Sequence, residues 1–407
     1  MSNINPHTIQ ISQNLSRVAP SATMAVTQAA RDMKAAGVDV IGLGAGEPDF
    51  DTPEHIKDAA CRAIRDGKTN YTNVDGIAEL KEQICIKFQR DNELSYVSSQ
   101  VNVSPGGKPV LYNALMATLN PGDEVIIPAP CWVSYPEMVR LAGAKPIVVS
   151  CSGETRFKLT PHQLEQAITP QTRWLILNSP SNPTGAGYSR AELVALGAVL
   201  LRHPQVLILS DDIYEHLVYD DFIFATIAQA VPELYNRTLT MNGVSKAYAM
   251  TGWRIGYGAG PEWLIRAMAK VMSQSTSNPC SISQWASVAA LSGPQDFLRE
   301  WKAAYTARRS FVANALNEMT GLDSQTPDGA FYVYPDCTGW IGRKTAAGTV
   351  LETDVDIAKA LLVEARVAVV PGTAFHSSPH LRLSYAADMM TLEKACKRIS
   401  NFSEGLR

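Results

Sequence analysis

Three apolar runs in this 407-residue chain end in residues able to do chemistry. Residues 174–177 run into Asn178-Ser179-Pro180-Ser181-Asn182-Pro183-Thr184-Gly185. Residues 206–209 run into Ser210-Asp211-Asp212-Ile213-Tyr214, and residues 238–241 into Asn242-Gly243-Val244-Ser245-Lys246. Arg254 follows eight residues after Lys246. Further upstream, Ser104-Pro105-Gly106-Gly107-Lys108-Pro109 sets two glycines before a helix-like run, with Pro109 suited to a first turn. Ligands of open α/β sheets sit beyond the carboxyl ends of the strands, so Asp211 and Lys246 would lie over one face. Backbone N–H groups at a helix start suit a phosphate. Singly these are ordinary features. A strand-end Asp commonly caps a helix, and a lysine is commonly solvated. Together, an amine, a carboxylate, an arginine and a phosphate cradle are what pyridoxal phosphate requires: a lysine for its aldehyde, an acid for its pyridine nitrogen and anchors for its phosphate.

Other chemistries find less support. Gly106-Gly107-Lys108 lacks the first half of a nucleotide-binding P-loop, and no Gly-x-Ser-x-Gly elbow is present. The seven histidines have no metal-ligand spacing. Lys and Arg total 36 against 39 Asp and Glu, a formal net charge of −3, so no basic surplus exists to neutralise nucleic-acid phosphates. The composition, 46% hydrophobic and 18% charged, is that of a packed protein and not a disordered one. No apolar run approaches the roughly 18 residues of a membrane helix. The first twenty residues lack the cationic start and apolar stretch of a secretory signal. The seven cysteines are odd in number and include no Cys-x-x-Cys pair, which points to reduced thiols and a cytoplasmic location.

The elements that must position these residues alternate. Helices are expected over 25–36, 54–66, 77–91 and 109–119. Strands over 124–128, 145–150, 174–178, 205–210, 238–242 and 255–259 are then interleaved with helices over 135–141, 161–167 and 190–202. Near-continuous apolar strands between helices describe a mostly parallel sheet buried on both faces. One long helical stretch is expected from Pro279 to about Glu318. An α+β satellite follows, with strands over 330–334, 367–370 and 381–384 and helices over 356–364 and 391–402.

In these residues the sequence resembles the class I (fold type I) pyridoxal-phosphate-dependent aminotransferases, most closely their bacterial aspartate aminotransferase branch. The likeness is an ordered series: Pro20-Ser21-Ala22-Thr23, Gly44-Ala45-Gly46-Glu47-Pro48-Asp49-Phe50, Tyr71, Pro105-Gly106-Gly107-Lys108 and Trp132-Val133-Ser134-Tyr135-Pro136-Glu137. Then come the Asn178–Gly185 segment, Asp211-Asp212-Ile213-Tyr214-Glu215 and the segment from Ser245-Lys246 to Trp253-Arg254-Ile255-Gly256-Tyr257. Gly329-Ala330-Phe331-Tyr332 and Arg382-Leu383-Ser384-Tyr385 close it.

The resemblance implies an α/β protein of the fold type I class, with a mostly parallel seven-stranded sheet. A large cofactor-binding domain would span 51–295 and a smaller α+β domain 296–407. Residues 1–50 would form an arm and part of the small domain. It implies transfer of the amino group of L-aspartate to 2-oxoglutarate, with amino acids and 2-oxo acids as partners and a homodimer sharing its active sites. An aminotransferase for aromatic or other amino acids is the alternative, with a β-lyase or an oxidase further off.

The resemblance also implies roles. Lys246 would hold the cofactor covalently and then carry the proton at the substrate Cα. Asp211 would pair with the pyridine nitrogen, and Tyr214 and Asn182 with the phenol oxygen. Arg254 and the backbone of Gly106, Gly107 and Lys108 would hold the phosphate, Trp132 would stack on the ring, and Tyr71 would reach the neighbouring subunit's phosphate. Arg382 would clamp the α-carboxylate in a two-pronged geometry that lysine cannot copy. Gly46, Trp132 and Asn182 would line the substrate site, and Ser21, Thr23 and Lys108 would receive the distal carboxylate. Two positions depart from the pattern. Cys131 stands where relatives usually have Tyr and is expected to alter the same neighbourhood. Ala19 stands where relatives that accept prephenate tend to have Lys, which weakens the expectation of prephenate use.

Overall fold

The computed structural model describes residues 11–20 and 22–407. Strand β1 (Ile41–Gly42) stands apart from a seven-stranded sheet. That sheet comprises β2 (Val101–Ser104), β3 (Glu124–Ala129), β4 (Lys145–Ser150), β5 (Thr172–Asn178), β6 (Leu207–Asp211), β7 (Thr238–Gly243) and β8 (Gly256–Ala259), in the order β2-β8-β7-β6-β5-β3-β4. Strands β3 to β7 pair in parallel, whereas β8 runs antiparallel to both β7 and β2. Both faces are covered, which is why the strands read as continuous apolar runs. Val125 and Ile127 point to a cluster with Val110, Leu111 and Leu115, while Ile126 between them points to one with Leu193, Leu196 and Leu200.

Helices α1 (Ala22–Ala35), α2 (Glu54–Arg65), α3 (Ala78–Asn92), α4 (Gly107–Thr118) and α5 (Ser134–Leu141) precede the middle strands or cross between them. Most expected elements lie within a residue or two of their places, but the stretch after Pro279 is corrected. It forms two helices, Ser281–Ser292 and Phe297–Asn317. Proline disfavours helical conformation in the residue before it, and Gly293, before Pro294, is extended with ψ −174°.

Beyond it lie β9 (Tyr332–Val333), β10 (Val367–Ala368), β11 (Val370–Pro371) and β12 (Leu381–Ser384). The single strand expected over 367–370 is therefore split between two sheets. β10 pairs in parallel with β1, joining the chain's two ends, while β11 and β9 flank β12. Phe331, Tyr332, Leu383 and Tyr385 pack there against Tyr305, Val312 and Ile399. Among the described residues, no helix is long and apolar enough to cross a membrane.

Candidate active site

A cavity of about 460 Å³ opens beyond the carboxyl ends of β5, β6 and β7. Asn178 and Asp211 are the last residues of β5 and β6, and three residues beyond Gly243 the chain delivers Lys246. Asn178 fixes this corner: its Nδ2 donates to the Asp211 carbonyl (2.9 Å) and its Oδ1 accepts from the Asn182 N–H (2.8 Å).

Asp211 is buried. Its Oδ2 accepts from the Tyr135 hydroxyl at 2.6 Å, and the Ile213 N–H reaches Oδ1 at 3.4 Å. Burial pushes its pKa up to about 6, against the opposing pull of the Tyr135 bond. Lys246 donates to the Gly46 carbonyl. Loss of hydration brings its amine down to about 8; Glu47 opposes this, and Arg382 and Arg254 add to it. The cavity thus offers an amine made nucleophilic near neutrality and a carboxyl in need of a cation.

Arg382, which also lines the cavity, is 2% exposed. Its Nη1 donates to Asn182 Oδ1 (2.9 Å) and its Nη2 to the Gly44 carbonyl (2.6 Å), while Nε has no partner. Its guanidinium carbon lies 4.6 Å from the Tyr332 ring centroid and 5.0 Å from that of Phe375. No carboxylate is paired with it among the described residues. A buried guanidinium with an orphan N–H is a receptor for an incoming carboxylate.

The phosphate-sized corner is built from close backbone approaches. A Cβ on Gly106, whose φ is +103°, would lie 2.3 Å from Arg254 Nη2, and one on Gly256 would lie 2.3 Å from the Gly107 nitrogen. Arg254 itself holds a left-handed backbone, φ +56°, and its Nη1 donates to the Thr251 carbonyl (2.8 Å). Such a conformation costs a non-glycine residue roughly 1–3 kcal/mol and persists where surroundings over-determine it. Lys108 lies 4.9 Å from the Trp132 ring centroid, its pKa lowered by burial and then by Arg254.

Gly46, Trp132, Asn182, Tyr214 and Thr23 also line the cavity. Gly106 meets it through Arg254. Ser21 lies outside the described residues. Tyr71 is 93% exposed and does not line the cavity. Cys131 is 3% exposed, packs with Tyr135 and Val139, and lines a neighbouring crevice that shares Tyr135 and Asn178 with this cavity. Burial pushes its thiol up to about 12. Two tyrosines had no role in the aspartate reading: Tyr135, which holds Asp211, and Tyr332, which entered only as a pocket wall in the aromatic alternative and whose hydroxyl lies 2.9 Å from that of Tyr214.

A mostly parallel sheet carrying a strand-end lysine, a buried acid, a glycine-arginine anion corner and a buried guanidinium defines an enzyme of amino-acid chemistry. The chain belongs to the aminotransferase class I and II family, whose model matches residues 38–399. It is 63% identical over 396 residues to an aspartate/prephenate aminotransferase of Cereibacter sphaeroides, covering 97% of this chain and 99% of that one. The solved aspartate aminotransferase of Rhizobium meliloti superposes with a TM-score of 0.95 at 53% identity, covering 98% of this chain and 100% of that one. The Thermus thermophilus aspartate aminotransferase solved with maleate gives a TM-score of 0.91 at 44% identity, covering 97% and 100%.

Proposed function

We propose that this chain is a pyridoxal-phosphate-dependent aspartate aminotransferase, transferring the amino group of L-aspartate to 2-oxoglutarate in two half-reactions. The observation that carries the proposal is the buried Asp211 carboxyl, raised to about 6, facing the same cavity as the lowered Lys246 amine and the uncompensated Arg382. Pyridoxal phosphate, when bound, supplies an electron sink for the substrate's Cα carbanion.

The residues fit that group. Asp211 would regain its ordinary acidity against a protonated pyridine nitrogen. The Gly106 and Gly107 backbone with Arg254 suits the phosphate. Trp132 would stack on the ring, and Asn182 and Tyr214 would meet the phenol oxygen. Lys246 Nζ would hold the cofactor and then move the proton at the substrate Cα.

Arg382 would take the α-carboxylate with its free Nε. Lys108 and Thr23, with Ser21, would take the distal carboxylate. Maleate, present in the Thermus structure, is a dicarboxylate of that kind. The exposed Tyr71 hydroxyl would donate to the phosphate of a second subunit in a homodimer. We assign the cofactor to the unit over 51–295, closed by 296–407 and the N-terminal 50 residues.

Prephenate is a second reading, favoured by the name of the Cereibacter relative. Against it, Ala19 brings no charge; its N–H donates to Glu137 Oε2 at 3.0 Å. The test is a spectrum with a substrate panel. The loaded protein should be yellow, and L-aspartate should bleach it and yield oxaloacetate without ammonia. Ammonia with pyruvate would mark a lyase, and peroxide an oxidase. A response to phenylalanine or tyrosine but not to aspartate would sink the acidic-substrate reading, and prephenate as acceptor decides the second.

A further inference from the structure

Tyr332 lies in the cavity wall, fully buried, and the proposed reaction gives it no task. Its hydroxyl is 2.9 Å from that of Tyr214. A Cβ on Gly46 would come within 2.8 Å of the same oxygen, and the Gly46 carbonyl is what Lys246 donates to. Its ring face lies under the Arg382 guanidinium at 4.6 Å. One side chain thus adjoins the Tyr214 phenol, the backbone beside the lysine and the carboxylate clamp.

Proton counting sets the direction of the phenol–phenol bond. Each phenol has one O–H to donate and lone pairs to accept with. In the protein alone either oxygen can be the donor. If Tyr214 gives its proton to the anionic phenol oxygen of the cofactor, that bond is charge-assisted and roughly twice as strong as a neutral one. The Tyr214 oxygen can then only accept, and Tyr332 must donate.

We propose that Tyr332 is a positioning residue for both halves of the site. Its hydroxyl donates to Tyr214 and strengthens that residue's hold on the cofactor's phenol oxygen, while its ring holds Arg382 in place. This rests on the cofactor reading above. Hydrogen bonds in series polarise one another, so Tyr214 backed by Tyr332 is a stronger donor than Tyr214 alone. A stronger donor draws negative charge off the phenol oxygen. With pyridoxal phosphate bound, the nitrogen joining Lys246 to it would then lose its proton at a lower pH.

The test compares the pH at which the cofactor-loaded protein's visible absorption changes in the wild type, Tyr332→Phe, Tyr214→Phe and the double variant. Phe removes the hydroxyl and keeps the ring. Tyr332→Phe should raise the midpoint by about half a unit, the size of a fraction of one neutral hydrogen bond. It should add nothing in the Tyr214→Phe background. Affinity for succinate, a non-reacting dicarboxylate, should change less than about twofold in Tyr332→Phe and fall about fivefold in Tyr332→Leu, which loses the ring under Arg382. A midpoint that stays or falls in Tyr332→Phe, or that rises equally without the Tyr214 hydroxyl, overturns the hydroxyl role. Unchanged succinate affinity in Tyr332→Leu overturns the ring's role. A wild-type protein with no pH-sensitive band sinks the cofactor reading and this proposal with it; a wild-type band with an unmoved midpoint in the variant sinks this proposal alone.

Discussion

Taking the Lys246 amine out of water trades stability for reactivity, because the pull of Glu47 and Asp211 does not make up for the lost hydration. Its pKa falls from 10.5 to about 8. Below pH 8 both folded and unfolded chains carry the proton, and the folded state bears the full cost of a poorly hydrated charge. Between about 8 and 10.5 only the unfolded chain holds the proton, so stability rises with pH across that window. The cofactor-free Lys246→Met variant should lose that rise and be more stable at pH 7, by roughly 3 kcal/mol; urea unfolding of both proteins at pH 7 and 10 measures it, and parallel curves would refute it. Arg382→Lys keeps the charge but loses the planar fork, so kcat/KM for aspartate should fall about 100-fold, mostly in KM, while cofactor binding is kept. Lys246, Asp211, Arg254 and the Gly106–Lys108 corner stood out in the sequence by strand-end position and residue type, whereas Arg382, Trp132, Tyr214 and Asn182 were reached only through the family resemblance. Their supports were not legible there: Tyr135 reaches Asp211 across 76 residues and Tyr332 reaches Tyr214 across 118, and nothing local to either tyrosine records a bond of that range.

At the scale of elements, the anion corner exists because β8 lies against the start of α4 with no side chain between them. A Cβ at Gly256 would sit 2.3 Å from the Gly107 nitrogen and 2.4 Å from the Gly106 carbonyl carbon, all backbone that cannot swing away. Gly256→Ala should therefore weaken pyridoxal phosphate binding at least about tenfold and lower stability by about 1–3 kcal/mol, as expected for overpacking; equilibrium dialysis and thermal melts on the same preparation would show it, and unchanged affinity would mean that the corner is not the phosphate site. α3 is tied to the loop after β6 by Lys87, 1% exposed, which contacts Glu215 while Asn92 Nδ2 donates to the other Glu215 oxygen at 2.8 Å. That places an ionic lock directly beside Tyr214. The succession of strands and helices along the chain was readable, and residues 145–150 and 381–384 match to the residue. β2 was missed because Val101–Ser104 is four residues long and fully buried Asn102 interrupts its apolar pattern. The helix break was missed because Gly293-Pro294 lies inside a long helix-favouring composition.

For the whole molecule, the net charge of −3 conceals a cavity lined by Lys108, Lys246, Arg254, Arg382 and Arg31 against Glu47 and Asp211. Low-dielectric walls make such a concentration act on anionic substrates although the chain as a whole is slightly acidic. The same scale explains Tyr71. Its loop is firmly held: Gln284 accepts from the Ile77 N–H at 2.8 Å and donates to Thr72 Oγ1 at 3.2 Å, and Ser281 donates to the Lys68 carbonyl at 2.8 Å. Yet the ring on that loop is 93% exposed. A rigid loop presenting an exposed phenol hydroxyl suits a phosphate held by a second copy of the chain. If so, the site is divided between subunits, and complementation follows from counting. Lys246→Ala removes the covalent anchor, and Tyr71→Phe weakens the phosphate hold. In a hybrid of the two variants, one site combines an intact Lys246 from the second chain with an intact Tyr71 from the first, and the other site has neither. Unfolding and refolding the two variants together should therefore restore wild-type cofactor affinity to half the sites in each hybrid, read by absorbance titration. Separately refolded variants should show none, and a mixture no better than its components would place Tyr71 outside the shared site.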